Sequence, residues 1–168
     1  MKMNLEVVVV PVSDVDRAKA FYEKLGFRLD MDNVAKEDYR IIQFTPPGSG
    51  ASIIFGKGIT SVQPGSIDGL TLVVYDIDAA RSELLSQGVK VSDVFHDADG
   101  GLAGGYQAGT KGRVRGPDPQ GRSYASYASF SDPDGNGWLL QEIKERLPGR
   151  TDARTAQRQT DRHPAEGA

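Results

Sequence analysis

No cysteine occurs anywhere in the 168 residues. That absence excludes disulfide frameworks, thiolate nucleophiles and cysteine-rich zinc sites, and it fits a reducing compartment. Histidine is nearly missing as well, with only His96 and His163. There is no basic excess: 20 Lys and Arg stand against 23 Asp and Glu, a formal charge of −3. Without a general positive field to hold phosphate backbones, nucleic acid is not the expected partner. Long apolar runs are lacking too. The stretch from Met1 to Val12 is interrupted by Glu6 and Pro11 and is too short for a signal-peptide core or a spanning helix. No membrane contact and a cytoplasmic location are therefore expected.

What is present is an internal repeat. The run Leu5 to Asp16 is answered by Ile67 to Asp78, with Val12, Asp14 and Asp16 recurring as Val74, Asp76 and Asp78. Each copy leads into apolar residues at helical spacing, Val15, Ala18, Tyr22 and Leu25 in the first and Ile77, Ala80 and Leu84 in the second. Ser13 or Asp14, and correspondingly Asp76, can cap the first turn, while Gly26 and Gly88 supply the left-handed stop. Strand-like runs follow at Phe27 to Met31, Tyr39 to Phe44 and Ser52 to Phe55, with Gly56 read as punctuation after the last. The second half offers Val89 to Phe95, Tyr124 to Phe130 and Trp138 to Ile143, the last two joined by the turn Asp132-Pro133-Asp134-Gly135-Asn136-Gly137. Both halves read strand, helix, strand, strand, strand, over residues 4–62 and 63–147. The glycine-rich stretch 97–122 reads as one long loop, and 148–168 as a disordered tail with too little apolar surface to order itself.

The segments Pro11 to Phe27 and Phe130 to Trp138, a helix start of Val-x-Asp type and an Asp-Pro-Asp-Gly-Asn turn, resemble the glyoxalase, bleomycin-resistance and extradiol-dioxygenase superfamily, the vicinal oxygen chelate proteins. The resemblance covers roughly residues 4 to 147. It implies an α+β fold in which two tandem βαβββ modules form an incomplete, curved mixed β-barrel. It also implies a homodimer and a divalent metal held by His and Glu from four strands. Carried onto this sequence, those four positions fall at Val7, Ile54, Gly69 and Leu139. Hydrocarbon and glycine donate nothing to zinc, nickel, manganese or iron. A slip of one residue does not rebuild the set, and it would turn the apolar face of each strand outward.

The expectation is accordingly a small organic ligand in an apolar cleft, with no cofactor. Val7, Val9, Gln43, Ile54, Gly69, Tyr124, Leu139 and Gln141 are the candidate lining. Gln141 is in phase with Leu139, and an inward Gln43 could fix a polar group of a ligand, although an outward, solvated Gln43 is the alternative. Tyr124 and Tyr127 are expected on opposite strand faces, leaving open which of them sees the cleft. The competing reading is a lyase, isomerase or dioxygenase, with a divalent metal at an atypical site near Glu142 and His96, or with His96 as general base. Glu142 lies out of phase with Leu139, and a lone His at a strand end is also the ordinary half-exposed polar residue. Lys111, Arg113 and Arg115 could clamp an anion or simply keep a loop soluble. No nucleophile elbow occurs, and the glycine pairs of the long loop do not connect a strand to a helix as a dinucleotide loop would.

Overall fold

The computed structural model describes Met1 and residues 3–98 and 112–147. Lys111, His163 and the tail 148–168 lie outside the described residues. In the first half, β1 (Val7–Val9), α1 (Val15–Lys24), β2 (Arg28–Lys36), β3 (Tyr39–Thr45) and β4 (Ser52–Lys57) follow the expected order. They form a four-stranded sheet ordered β1-β4-β3-β2, with β1 parallel to β4 and the other pairs antiparallel.

The second half contains β5 (Leu70–Val74), α2 (Ile77–Ser86), β6 (Phe95–Asp97), β7 (Arg113–Arg115), β8 (Ser126–Ser131) and β9 (Gly137–Glu142). Its five-stranded sheet is ordered β5-β9-β8-β6-β7. Three expectations need correction. The stretch 97–122 is not loop throughout, because Arg113-Val114-Arg115 pairs antiparallel with Phe95-His96-Asp97. The strand expected over Val89 to Phe95 is reduced to a single bridge from Val91 to Phe130, and ladder pairing starts only at Phe95. The strand expected to begin at Tyr124 begins at Ser126. Both sheets are open, and no strand of one is hydrogen bonded to a strand of the other among the described residues.

The helices form where caps and periodicity agree. Asp14 accepts from the Arg17 amide at 2.9 Å and Asp76 from the Ala79 amide at 2.9 Å, each satisfying a first-turn donor. Ser13, the other capping candidate, instead turns its hydroxyl to Asp134. Asp16 at the start of α1 and Lys24 at its end suit the helix dipole.

One apolar cluster joins the two halves. It takes Val10, Ala18, Tyr22, Phe44 and Phe55 from the first and Ile77, Ala128, Phe130, Trp138 and Leu140 from the second. Tyr22 stands among the rings of Phe27, Phe55 and Trp138, 5.4 to 5.9 Å from each centroid. Its hydroxyl donates to Asp132 at 3.0 Å and accepts from the Trp138 indole at 3.3 Å. Burial, reinforced by the Asp132 charge, pushes the phenol well above its ordinary pKa. The helices and this core occupy one face of each sheet. Among the described residues, the other face carries no helix.

The turn between β7 and β8 is closed by Asp118. Its side chain accepts from the Arg122 guanidinium at 2.6 and 3.1 Å and from the Arg122 amide at 2.9 Å. The guanidinium holds this buried carboxyl down to about 2. A carboxyl with a folded pKa below its unfolded value stabilises the fold above the unfolded value, about pH 4, and loses that contribution as pH falls toward 2. Because Arg122 is partly in solvent, we expect Asp118→Asn to cost only about 1–2 kcal/mol at pH 7. Urea unfolding at pH 7 and pH 2.5 checks this: the gap between wild type and variant should shrink at the lower pH, and an equal gap at both would exclude the assignment.

Candidate ligand site

The strand registers decide which residues share the helix-free faces. In the first sheet Val7 pairs with Ser52, Val9 with Ile54, and Ile54 with Gln43. Ile53, Phe44, Ile42 and Phe55 alternate onto the opposite face and enter the core. Val7, Val9, Gln43 and Ile54 therefore lie together on the helix-free face, each partly exposed.

A polar chain runs beside these apolar side chains. The Gln43 amide donates to Ser52 Oγ at 3.2 Å, Ser52 and Thr45 share a hydrogen bond of 2.7 Å, and Thr45 donates to Asp30. Arg28 closes the chain on Asp30 at 2.6 Å. The Thr45 hydroxyl, with Arg28 second, holds the Asp30 carboxyl below its usual range. Because Gln43 spends its N–H on this chain, its carbonyl oxygen is left for a ligand donor. Ser52, Thr45 and Asp30 carry no sequence signal, since only strand pairing brings them to Gln43.

In the second sheet, Thr71 pairs with Leu139, Leu139 with Ser129, Val73 with Gln141, Gln141 with Tyr127, and Tyr127 with Phe95. Phe95, Tyr127 and Leu139 form a small apolar cluster separate from the main core. The Phe95 and Tyr127 rings stack at 5.6 Å. Gln141 donates to the Tyr124 carbonyl at 3.3 Å and to the Tyr127 hydroxyl at 3.4 Å.

Two candidate residues lie just outside the strands. Tyr124 precedes β8 with φ of 67°, so strand alternation does not orient it, and its hydroxyl accepts from the Leu147 amide at 3.1 Å. Gly69 precedes β5 with φ of 83°, a left-handed conformation that a side chain rarely adopts.

A cavity of about 570 Å³ opens on this side of the second sheet, lined by Asp68, Lys90, Arg113, Ser129 and Ser131 among others. A second, smaller cavity of about 310 Å³ lies toward α2, among Leu25, Phe27, Pro46, Pro47 and Leu84.

His96 and Glu142 belong to the opposite face. His96 pairs with Ser126, out of phase with Phe95, and its Nδ1 meets the Gly116 carbonyl at 2.8 Å. A carbonyl only accepts, so Nδ1 carries the proton in that bond. Glu142 is buried, accepts from the Ile77 amide at 3.2 Å and pairs with Lys144 at 3.2 Å. It closes the start of α2. Val7, Ile54, Gly69 and Leu139 offer no metal donor, and among the described residues no three His, Cys, Asp or Glu come together to hold an ion. The residues at these four positions do not fit the metal that the resemblance implies.

Comparison with known proteins agrees with this architecture. A family model described as Glyoxalase/Bleomycin resistance protein/Dioxygenase superfamily matches residues 4–140. TnmS3, an antibiotic binding protein from Streptomyces sp. CB03234, is 31% identical with a TM-score of 0.60, over 84% of this chain and 97% of that one. A glyoxalase/bleomycin resistance protein from the same organism is also 31% identical, with a TM-score of 0.58, over 83% of this chain and 100% of that one. A member of the superfamily from Sphaerobacter thermophilus DSM 20745 is 26% identical with a TM-score of 0.61, over 84% of this chain and 98% of that one. Among curated proteins, none matches the chain. No helix among the described residues is long and apolar enough to cross a membrane.

Proposed function

The chain belongs to the Glyoxalase/Bleomycin resistance protein/Dioxygenase superfamily, and from that premise we propose that it holds a small organic molecule against the helix-free faces of its sheets, without a metal there. The observation that carries this reading is the character of those faces. Valine, isoleucine and leucine stand at three of the positions where the resemblance places metal ligands, and the amides of Gln43 and Gln141 lie alongside in the strand register. Such a surface recognises by shape, burial and a few hydrogen bonds. Covering about 300 Å² of apolar ligand at roughly 25 cal/mol per Å² gives a gross driving force of several kcal/mol, from which association costs are subtracted. The likeness to an antibiotic binding protein at 31% identity supports binding rather than turnover.

Each chain presents two such faces on two unjoined sheets. A homodimer that brings the first sheet of one copy against the second sheet of its partner would enclose the ligand, and that is the assembly we propose. The cysteine-free composition suits a cytoplasmic protein.

A thermal-shift screen against antibiotics, thiol conjugates and catechols, run with and without EDTA, tests this function. A ligand at about one hundred times its Kd should raise Tm by roughly 5–10 °C, equally in both conditions. Stoichiometric zinc, nickel, manganese or iron in protein purified without chelator, or a shift that EDTA abolishes, would refute the metal-free reading.

A further inference from the structure

The cavity on the second sheet is lined by an arginine that makes no ion pair with any of the described residues. Arg113 lies in β7, and its guanidinium carbon is 4.1 Å above the centre of the Phe95 ring. Stacking on an aromatic face fixes the plane of the guanidinium while leaving its N–H edge free to bond. The other arginines of the described residues are already engaged. Arg17, Arg28, Arg40, Arg81, Arg115 and Arg122 form ion pairs with aspartates, and Arg146 has an interaction of its own. Among the described residues, Arg113 is the one arginine with neither an ion pair nor a hydrogen bond. Its strand partner Asp97 does not supply one, although that carboxylate is buried and its Oδ2 lacks a partner.

The surroundings favour an anion. Arg113 lines the 570 Å³ cavity together with Lys90 and the hydroxyl-bearing Ser129 and Ser131. Two carboxylates share the wall: Asp68 accepts from the Gly69 amide at 2.8 Å, and Asp132 is buried and taken up by Tyr22, the Asp134 amide and Asn136. Phe95, Tyr127 and Leu139 supply an apolar floor beside the cation. We propose that Arg113 is a specificity-determining residue, and that the ligand carries an anionic group, such as a carboxylate or sulfonate, on an apolar ring system. The rings lie along the helix-free face while the anion takes the fork of Arg113, with Lys90 as a second charge. The inference rests on the ligand-site reading above and narrows its substrate class.

Two fluorescent probes of nearly the same shape separate the two ideas. 8-Anilinonaphthalene-1-sulfonate carries a permanent negative charge, and N-phenyl-1-naphthylamine is its neutral counterpart. At low ionic strength, Arg113→Gln should weaken the sulfonate by about tenfold or more and leave the neutral probe within about twofold. Arg113→Lys should restore part of the loss. Asp97→Asn should strengthen the sulfonate by about two- to threefold, because it removes a competing charge. Added salt should weaken only the charged probe.

Ser129→Trp fills the cavity and should displace both probes, with Ser131→Trp serving if the first variant melts early. If the filled variant excludes both probes and Arg113→Gln spares the sulfonate, the Arg113 assignment is wrong and the site reading stands. If both probes still bind the filled variant, as they would from the smaller cavity toward α2, or if neither binds the wild type, both ideas fall.

Discussion

Replacing Asn136 with alanine should lower stability by about 4 kcal/mol, a fall in Tm of roughly 8–16 °C. Asn136 is fully buried in the turn between β8 and β9. Its side-chain amide donates to the Pro11 carbonyl at 2.9 Å and to Asp132 at 2.7 Å, and its oxygen accepts from the Ile67 amide at 3.3 Å. Alanine leaves all three partners without that bond; Pro11 and Asp132 are buried and Ile67 is half-buried, and each buried orphan costs about 1–3 kcal/mol. Pro11 follows β1 and Ile67 precedes β5, so one side chain ties the last hairpin to the opening strand of each half. Asp132 extends the tie by accepting from the Tyr22 hydroxyl at 3.0 Å in the centre of the core. The outer clasp should matter far less. Arg17 pairs with Asp134 at 3.0 Å but is half exposed, and Arg17→Ala should cost under about 1 kcal/mol. Chemical denaturation of the two variants beside wild type measures the contrast. Equal losses, or an Asn136→Ala loss below 1 kcal/mol, would mean that the buried tie is not what joins the halves.

That tie explains why this much of the fold is legible in the sequence. The turn Asp132 to Gly137 and the capped starts of α1 and α2 are local signals whose chemistry is the same in isolation and in the fold. Asp14, Asp76, Gly26 and Gly88 act within one helical turn, so their roles survive any tertiary arrangement. β7 escaped because three residues, Arg113-Val114-Arg115, form a strand only by pairing with β6, and their glycine-rich neighbours read as loop. Alternation assigns Tyr124 to a strand face, but the strand begins two residues later, at Ser126. A period of two orients a side chain only within the ladder.

The candidate site divides along the same line. Val7, Val9, Gln43 and Ile54 could be grouped because phase within each strand is visible in the sequence and the turn positions limit the register. Ser52, Thr45 and Asp30 could not, because their hydrogen-bond chain depends on pairing across three strands and on a bulge between Leu29 and Met31 in β2. Arg113 was visible only as one member of a basic cluster. Its distinction from Arg115, which pairs with Asp93 at 3.3 Å, comes from the ring beneath it and from its making no ion pair among the described residues. Neither is a property of its own segment.

Gly56 gives the sharpest case of a residue whose sequence reading and structural role differ, and its substitution should be nearly as damaging as that of Asn136. Read as punctuation after a strand, it lies inside β4, paired with Ile41. A Cβ there would stand 1.8 Å from the Arg40 carbonyl oxygen and 2.7 Å from the Ile59 side chain. A backbone carbonyl cannot swing aside, so β3 and β4 would have to part. β3 resists that movement because Arg40 is anchored to Asp16 of α1 at 2.7 Å and to Asp32 of β2 at 2.9 Å. Arg40, with Lys19 second, holds the Asp32 carboxyl well below its ordinary range, so the anchor stays charged at neutral pH. We expect Gly56→Ala to cost about 3 kcal/mol and lower Tm by roughly 6–12 °C. The displaced β4 should also carry Ile54 away from Val9 and Gln43, weakening binding on that face by more than the stability loss alone explains. Gly26→Ala is the control: its φ is 75° but nothing lies within 4 Å of the added carbon, so only the left-handed conformation is penalised, by about 1 kcal/mol. Thermal melts of the two variants decide the matter. If Gly56→Ala melts no lower than Gly26→Ala, the close approach of β3 to β4 is not real, and the alignment of Gln43 with Ile54 on the ligand face loses its support.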